Sequence, residues 1–223
     1  ISQSSYNSIS ATSERIIGHI KGEQPGATVI YFGGIHGNEP SGVVALQRVF
    51  NNESVNASTI KGAIFGFYGN TWALERGKRY HKQDLNRLWK QHTIDKLENG
   101  QLSSSDEDTA SMLELYERIH TILKNETGPF YFFDLHTTSS KTVPFLTIND
   151  CLINRKFALK YPVPIILGLE EYLDGPLLSY INELGYVSIG FESGSHEAES
   201  SIDNHESFIY LSLHQTGSLQ KAD

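Results

Sequence analysis

Residues 29–39 read Val29-Ile30-Tyr31-Phe32-Gly33-Gly34-Ile35-His36-Gly37-Asn38-Glu39, an apolar run followed by a glycine-rich turn. The apolar run predicts a buried strand, and Pro40 and Ser41 open a segment with a helical pattern at 42–50. A strand, a tight turn and a helix in this order are typical of α/β folds. In such folds ligand sites gather at the carboxyl ends of the strands.

His36 and Glu39 stand three residues apart in this turn, a spacing at which one turn supplies two ligands to a metal ion. A catalytic zinc takes nitrogen or carboxylate oxygen ligands at about 2.0 to 2.2 Å and keeps one position open for water. A polar pair at a helix start can also be a simple cap, so His36 and Glu39 alone do not establish a metal site.

A second apolar run, residues 129–135, also predicts a strand, and it leads into His136. Asp134 and His136 are two residues apart on an extended chain, so their side chains share one face. His136 is therefore a candidate third ligand, and Asp134 a candidate carboxylate that orients the metal-bound imidazole. In the alternative, His136 merely ends the strand and Asp134 pairs with a nearby cation.

Composition bounds the class of protein. The chain has 223 residues, is 39% hydrophobic and carries a formal net charge of -8, which argues against nucleic acid or an anionic membrane as a partner. Cys151 is the only cysteine, which excludes an intrachain disulfide and a cysteine-based metal site. No stretch has the length of a transmembrane helix, and residues 1–10 lack the pattern of a signal peptide. We expect a cytoplasmic protein, with a homo-oligomer left open.

Hydrophobic periodicity predicts an α/β fold with a mixed, mostly parallel sheet and helices on both faces. The predicted strands are 15–20, 28–32, 63–68, 130–135, 143–148, 165–167 and 187–191. The predicted helices are 42–50, 109–123, 152–159, 176–184 and 204–213. We see no boundary or repeat and expect residues 1–223 to form one catalytic domain.

Two segments do not follow the alternation. Residues 98–108 are acidic and serine-rich and predict a surface loop without a function. Residues 69–90 predict a long loop, and long loops inside compact domains are often functional. This loop concentrates positive charge in an acidic chain, with Arg76, Lys78, Arg79, His81, Lys82 and Arg87.

Four pieces occur in a fixed order: Gly33 to Glu39, then Arg79-Tyr80 with Asp84-Leu85-Asn86-Arg87, then Phe133 to Ser139, and finally Gly190-Phe191-Glu192-Ser193-Gly194. This arrangement resembles the succinylglutamate desuccinylase and aspartoacylase family, zinc amidohydrolases related to the metallocarboxypeptidases. The resemblance extends from His36 to Gly194 and implies a zinc carboxypeptidase-like fold.

The resemblance also implies roles for individual residues. One zinc ion per chain would be held by His36, Glu39 and His136. Arg79 would polarise the scissile carbonyl and stabilise its oxyanion, and Asn86 and Arg87 would bind a carboxylate of a small-molecule substrate. Glu192 would be the general base that takes a proton from the metal-activated water and passes it to the leaving amine.

Two departures from the family bear on the substrate. Aspartoacylases carry a further arginine about ten residues before the general base, and residues 178–183 contain none, which argues against aspartate as the substrate. The chain also stops about thirty residues after Glu192, without a β-rich C-terminal domain, so we expect an open site or one closed by a partner subunit. A second His-x-x-Glu, at 196–199, follows no glycine-rich strand, and we do not expect His196 to be a ligand.

The leading hypothesis is a zinc-dependent hydrolase that cleaves the amide bond of an N-acyl amino acid or a similar small carboxylate. A carboxypeptidase-like metallopeptidase is a close alternative with the same chemistry and a different pocket. Two alternatives of other classes are a non-catalytic, metal-stabilised binding domain and a carboxylate-binding protein without metal.

Overall fold

A computed structural model describes residues 15–104 and 106–219, which contain one seven-stranded sheet. The strands are β1 (Ile16–Lys21), β2 (Gln24–Gly33), β3 (Lys61–Tyr68), β4 (Phe130–Thr138), β5 (Phe145–Ile148), β6 (Ile165–Leu167) and β7 (Val187–Ser195). They lie in the order β1-β3-β2-β4-β7-β5-β6. Every predicted strand is present, and β2, β3, β4 and β7 are longer than expected.

Helices connect most of the strands. They are α1 (Ser41–Phe50), α2 (Thr71–Glu75), α3 (Gln91–Glu98), α4 (Glu107–Asn125), α5 (Leu152–Ala158), α6 (Leu169–Tyr172), α7 (Leu177–Glu183) and α8 (Ser200–Gln215), with a 3-10 turn at Leu85–Arg87. The five predicted helices are confirmed with small shifts at their ends. The prediction missed α2, α3 and α6, which are too short to show a clear period.

The sheet is mixed and mostly parallel, as predicted. Four of its neighbouring pairs run parallel: β2 with β3, β2 with β4, β4 with β7, and β5 with β6. Two pairs are antiparallel, β1 with β3 and β5 with β7. Because β2, β4 and β7 are adjacent and parallel, their carboxyl ends meet at one edge of the sheet, where a site can form.

Apolar clusters lie on both faces of the sheet, as expected where helices cover a buried sheet on each side. Side chains alternate along β4: Phe132 packs on one face with Met112, whereas Phe133 packs on the other face with Leu46 and Phe208. The helices α4 and α7 cover the first face, and α1, α5 and α8 cover the second.

The two irregular segments differ from their predictions. The 69–90 segment begins with α2, whose first turn is capped by the Asn70 side chain accepting a hydrogen bond from the Ala73 amide at 3.1 Å. The 98–108 segment does contain exposed residues, but Asp108 is fully buried. The prediction of a surface loop is therefore wrong at Asp108, because its carboxylate has internal partners that composition does not reveal.

None of the helices in residues 15–104 and 106–219 combines the length with the apolar character that crossing a membrane requires.

Candidate metal centre

The turn after β2 folds as it does because two of its glycines have no room for a side chain. Gly34 has a φ of +73°, in the left-handed region that favours glycine. A Cβ atom on Gly37 would lie 2.1 Å from the carbonyl carbon of Ala73, so α2 packs directly against this backbone. The Gly37 amide donates to the carbonyl oxygen of Arg79 at 3.2 Å, which ties the turn to the basic segment.

This turn and β4 bring together the three side chains predicted as metal ligands. Nδ1 of His36 lies 3.0 Å from Oε1 of Glu39, and Nδ1 of His136 lies 3.2 Å from Oε2 of Glu39. One potential ligand atom from each residue falls within 4.8 Å of the others, and all three residues are buried. No other group of three such side chains converges in this way within residues 15–104 and 106–219.

A carboxylate stands behind each imidazole ring. Nε2 of His136 lies 2.7 Å from Oδ2 of Asp134, although neither oxygen of Asp134 makes a well-aligned hydrogen bond with the described residues. Nε2 of His36 lies 3.1 Å from Oδ1 of Asp84. Both rings are thus oriented with Nδ1 toward Glu39, because their Nε2 atoms face a carboxylate.

Asp84 was not predicted as a site residue. Its acidic side chain inside the basic 69–90 segment was a signal that could have drawn attention to it. Asp84 also accepts a hydrogen bond from Nη2 of Arg79 at 3.1 Å. Burial acts to raise the pKa of Asp84, but the hydrogen bond and charge of His36, together with the charge of Arg79, hold that pKa below its ordinary value.

The electrostatics of the cluster favour a charged carboxylate at its centre. Burial acts to raise the pKa of Glu39, yet His136 and His36 hold that pKa well below its usual range. Burial acts to lower the pKa of His136, yet Asp134 and Glu39 raise it well above its usual value. The backbone amide of Thr137 donates to Oε2 of Glu39 at 2.9 Å and stabilises the same charge.

Glu192 lies beside this cluster on the neighbouring strand. In the parallel pairing of β4 and β7, Glu192 is the register partner of His136. The side chain is half-buried, and its Oε2 has no hydrogen-bond partner within the described ranges. Burial raises the pKa of Glu192 to about 7, so its carboxyl group can exchange a proton near neutral pH.

Arg79 reaches the cluster, with Nη1 lying 3.5 Å from Oε1 of Glu39. Its side chain is 43% exposed, so the guanidinium faces both the cluster and the solvent. Arg76 and Lys78, by contrast, lie over the ring of Trp72, with the guanidinium carbon of Arg76 4.4 Å from the ring centroid. Part of the basic segment therefore packs on an aromatic ring rather than serving the site.

Asn86 and Arg87, the residues predicted to bind substrate, occupy the 3-10 turn. Asn86 is buried, and its side-chain oxygen accepts a hydrogen bond from the Leu177 amide at 2.9 Å. Arg87 is half-buried and donates through Nη1 to the carbonyl oxygen of Asn86 at 2.6 Å. Asn86 thus anchors the turn to α7. The other side-chain donors of Arg87 make no hydrogen bond with the described residues.

Asp108 is a second residue that the sequence analysis missed. Its carboxylate accepts hydrogen bonds from the backbone amides of His81, Lys82 and Gln83 at 2.9, 2.6 and 2.8 Å. The Asn70 side chain donates to it as well, at 2.6 Å. One buried carboxylate at the start of α4 therefore fixes the segment between Arg79 and Asp84.

The remaining histidines do not join the ligand group. The side chain of His196 contacts Thr137, with Nδ1 2.7 Å from the threonine hydroxyl. His205 is fully buried behind the site, and its Nδ1 lies 3.2 Å from the Ser41 hydroxyl.

The three side chains fit a divalent metal ion. Ligand atoms bound to one tetrahedral zinc lie about 3.3 Å apart. The Nδ1 atoms of His36 and His136 lie 3.0 Å from Oε1 and 3.2 Å from Oε2 of Glu39, and one ligand atom from each of the three residues lies within 4.8 Å of the others. Two imidazoles and a carboxylate form a borderline donor set of the kind used by catalytic zinc sites.

Comparison with known proteins identifies sequence relatives for this arrangement. A family profile described as "Succinylglutamate desuccinylase/Aspartoacylase catalytic domain" matches residues 25–167. Succinylglutamate desuccinylase from Pseudomonas aeruginosa strain LESB58 is 31% identical over 115 residues, which cover 50% of this chain and 31% of that protein. Glu192 lies beyond the segment matched by the profile, so its role depends on its position in the structure.

Solved structures show the same fold. A succinylglutamate desuccinylase/aspartoacylase from Rhodobacter sphaeroides superposes with a TM-score of 0.70 at 17% identity, covering 92% of this chain and 59% of that chain. The product-bound ectoine utilization protein EutE (DoeB) from Ruegeria pomeroyi gives 0.71 at 20% identity, covering 92% and 61%. This chain spans about three fifths of those structures and about a third of the curated relative.

Proposed function

This chain belongs to the succinylglutamate desuccinylase/aspartoacylase family, and we propose that it is a zinc-dependent hydrolase that cleaves the amide bond of an N-acyl amino acid or a similar small carboxylate. The observation that carries the proposal is the convergence of His36, Glu39 and His136 with Glu192 on the adjacent strand. Oε2 of Glu192 is buried and has no hydrogen-bond partner among the described residues. An unpaired carboxyl oxygen beside an ion-pair network does not stabilise the fold, so it favours a catalytic role for Glu192.

Zinc would be held by His36, Glu39 and His136. When bound, it supplies Lewis acidity at the scissile carbonyl and lowers the pKa of water at the site. Asp84 and Asp134 keep the two imidazoles oriented with Nδ1 toward Glu39, and such partners raise the basicity of metal ligands.

Glu192 moves the proton in this proposal. Its carboxylate removes a proton from the attacking water and then delivers that proton to the leaving amine. A pKa of about 7 suits both steps, because the group is neither too weak a base nor too weak an acid near neutral pH. Glu192 is not one of the three converging ligand side chains, which leaves it available for this task.

Two arginines act on the substrate. Arg79 lies at the edge of the cluster and is partly exposed, so its guanidinium can donate to the carbonyl oxygen as negative charge develops there. Arg87 offers a planar pair of donors suited to a carboxylate. Asn86 holds the 3-10 turn against α7 and keeps Arg87 in place.

The proposal is tested by assaying N-acetyl and N-succinyl amino acids and unblocked dipeptides with the zinc-loaded protein, with and without a chelator. We expect hydrolysis of N-acyl amino acids that chelation abolishes and added zinc restores. A preference for dipeptides would instead identify a carboxypeptidase-like enzyme. Stoichiometric zinc without turnover of any substrate would identify a metal-stabilised binding domain, and failure to bind zinc would refute the metal site.

A further inference from the structure

Residues 76–84 connect α2 to the 3-10 turn without forming a helix or strand of their own. This segment carries Arg79 and Asp84, and its side chains from Arg79 to Gln83 are exposed. Exposed side chains make few packing contacts, so they do little to hold the segment in one place. Its position therefore depends on the hydrogen bonds of its backbone groups.

Asp108 binds three consecutive amides of this segment. Its Oδ2 accepts the amides of Lys82 and Gln83 at 2.6 and 2.8 Å, and its Oδ1 accepts the amide of His81 at 2.9 Å. Hydrogen bonds to an ionised carboxylate are stronger than those between neutral groups. The backbone that leads directly into Asp84 is therefore fixed by one buried side chain.

The same carboxylate also reaches the turn that carries His36. Oδ1 of Asp108 accepts a hydrogen bond from Nδ2 of Asn70 at 2.6 Å. The backbone amide of Asn70 donates to the carbonyl oxygen of Gly34 at 2.8 Å, two residues before His36. Asp108 is thus connected to His36 along two routes, one through Asp84 and one through Asn70.

Capping of α4 does not account for Asp108. The N-cap of α4 is Asp106, whose side chain accepts the Thr109 amide at 2.9 Å. The four donors bound to Asp108 all lie outside α4. The helix is a firm support for them, because Met112 and Leu115 on its apolar face are fully buried in the core.

We propose that Asp108 is a positioning residue of the metal centre, which holds Asp84 behind His36 and thereby strengthens the binding of zinc. The role rests on the metal site of the proposed function and adds to it a residue three contacts from the ion. Asp84 lies 3.1 Å from Nε2 of His36 and accepts from Arg79 at 3.1 Å, so a shift of residues 81–83 would displace both partners of Asp84.

The test is a double-mutant cycle on zinc affinity, measured by competition with a chromophoric chelator. Asp108→Asn keeps the size of the side chain, but its NH₂ group faces two N–H donors in either orientation, because each carboxylate oxygen accepts two. We expect zinc affinity to fall about tenfold, as for other partners outside the ligand shell. In the Asp84→Asn background the same change should alter affinity less than about twofold, because the residue that Asp108 positions has lost its charge.

Asn154→Asp controls for a general loss of stability. Asn154 is fully buried on α5, and its side chain donates to the carbonyl oxygen of Asn149 at 3.3 Å and to Oδ1 of Asn182 at 3.0 Å. The isosteric change breaks these buried hydrogen bonds away from the 76–84 segment. It should lower the melting temperature and leave zinc affinity within about twofold of the wild type.

Hydrogen exchange in the wild type keeps the proposal testable if Asp108→Asn does not fold. Coupling between two sites is reciprocal, so zinc should slow the exchange of the amides of residues 81–83. The amides of Ser54 and Ser58 also donate to side-chain oxygens, at 3.0 and 2.9 Å, and lie in an exposed loop. They should exchange at the same rate with and without zinc.

Additive losses of zinc affinity in Asp108→Asn and Asp84→Asn would overturn the proposal, because Asp108 would then act independently of Asp84. Wild-type affinity in Asp108→Asn, an equal loss in Asn154→Asp, or exchange at residues 81–83 that zinc does not change would also overturn it. A wild type that binds no zinc would refute the metal site of the proposed function together with this role of Asp108. Zinc binding with additive losses would refute the role of Asp108 alone.

Discussion

Replacing Asp84 with asparagine tests whether the carboxylate behind His36 tunes the metal site. Asp84→Asn keeps an oxygen at Oδ1, which in the wild type accepts the Asn86 amide at 2.9 Å and so caps the 3-10 turn. What it removes is the negative charge 3.1 Å from Nε2 of His36. The fold of the turn should therefore survive, whereas the basicity of the imidazole should fall.

The expected size of the effect follows from the environment of Asp84. Its side chain is only 15% exposed, so solvent screens its interaction with His36 weakly. Loss of such an outer partner weakens metal binding about 10- to 100-fold, or about 1.4 to 2.7 kcal/mol. The ion pair with Arg79 adds little, because that arginine side chain is 43% exposed.

Zinc affinity is measured by competition with a chromophoric chelator for the wild type, Asp84→Asn and a matched control. Asp203→Asn is suitable, because its side chain is 74% exposed and pairs with Arg48 on the surface. The control should bind zinc as the wild type does. An Asp84→Asn protein that folds normally and binds zinc within about twofold of the wild type would refute the role assigned to Asp84.

Three further predictions concern catalysis by Glu192, the turn after β2 and the pH dependence of stability. Glu192→Gln should lower kcat about 10²- to 10⁴-fold while elemental analysis still finds zinc, and loss of zinc in this variant would contradict the role of Glu192 as base. In the wild type, activity should fall as the pH drops through about 7, where Glu192 becomes protonated. Gly37→Ala places a Cβ atom 2.1 Å from the carbonyl carbon of Ala73. Thermal unfolding should therefore show that the free energy of unfolding falls by about 1 to 3 kcal/mol, and zinc should bind more weakly. An unchanged melting temperature would argue against this close approach. Burial lowers the pKa of His205 to about 3, so below its ordinary pKa of about 6.5 a proton binds this imidazole in the unfolded chain but not in the folded one. Between about pH 7 and about pH 5, the free energy of unfolding measured in urea should therefore fall by about 2 kcal/mol more for the wild type than for His205→Gln. Equal decreases in the two proteins would contradict a buried neutral imidazole.

Local patterns in the sequence predicted most of the fold. Long periodic segments identify the type of secondary structure most clearly, and the clearest are the apolar runs of β2 and β4 and the amphipathic pattern of α4. The short helices α2, α3 and α6 were missed because four to eight residues give too little periodicity. Their stability comes from caps and packing, such as the Asn70 cap of α2.

For the candidate site, motif order and the family resemblance pointed to His36, Glu39 and His136, which the structure brings together. The sequence did not reveal that the oxygen of Asn86 is engaged by Leu177, about ninety residues away. A contact of this separation depends on how α7 packs over the sheet, and no local pattern encodes that packing.

The sequence by itself determined the α/β alternation, the strand that leads into His36 and the spacing that places Glu39 beside it, because these features depend on neighbours a few residues apart. Only the tertiary structure decided which carboxylates complete the site. Asp84 reaches His36, and Asp108 fixes the segment that carries Asp84, through contacts between elements that are distant in the chain. The physical reason is that the sequence around an aspartate does not show whether its carboxylate will be solvated or buried. Its hydrogen-bond partners depend on how the helices and loops pack around the whole sheet.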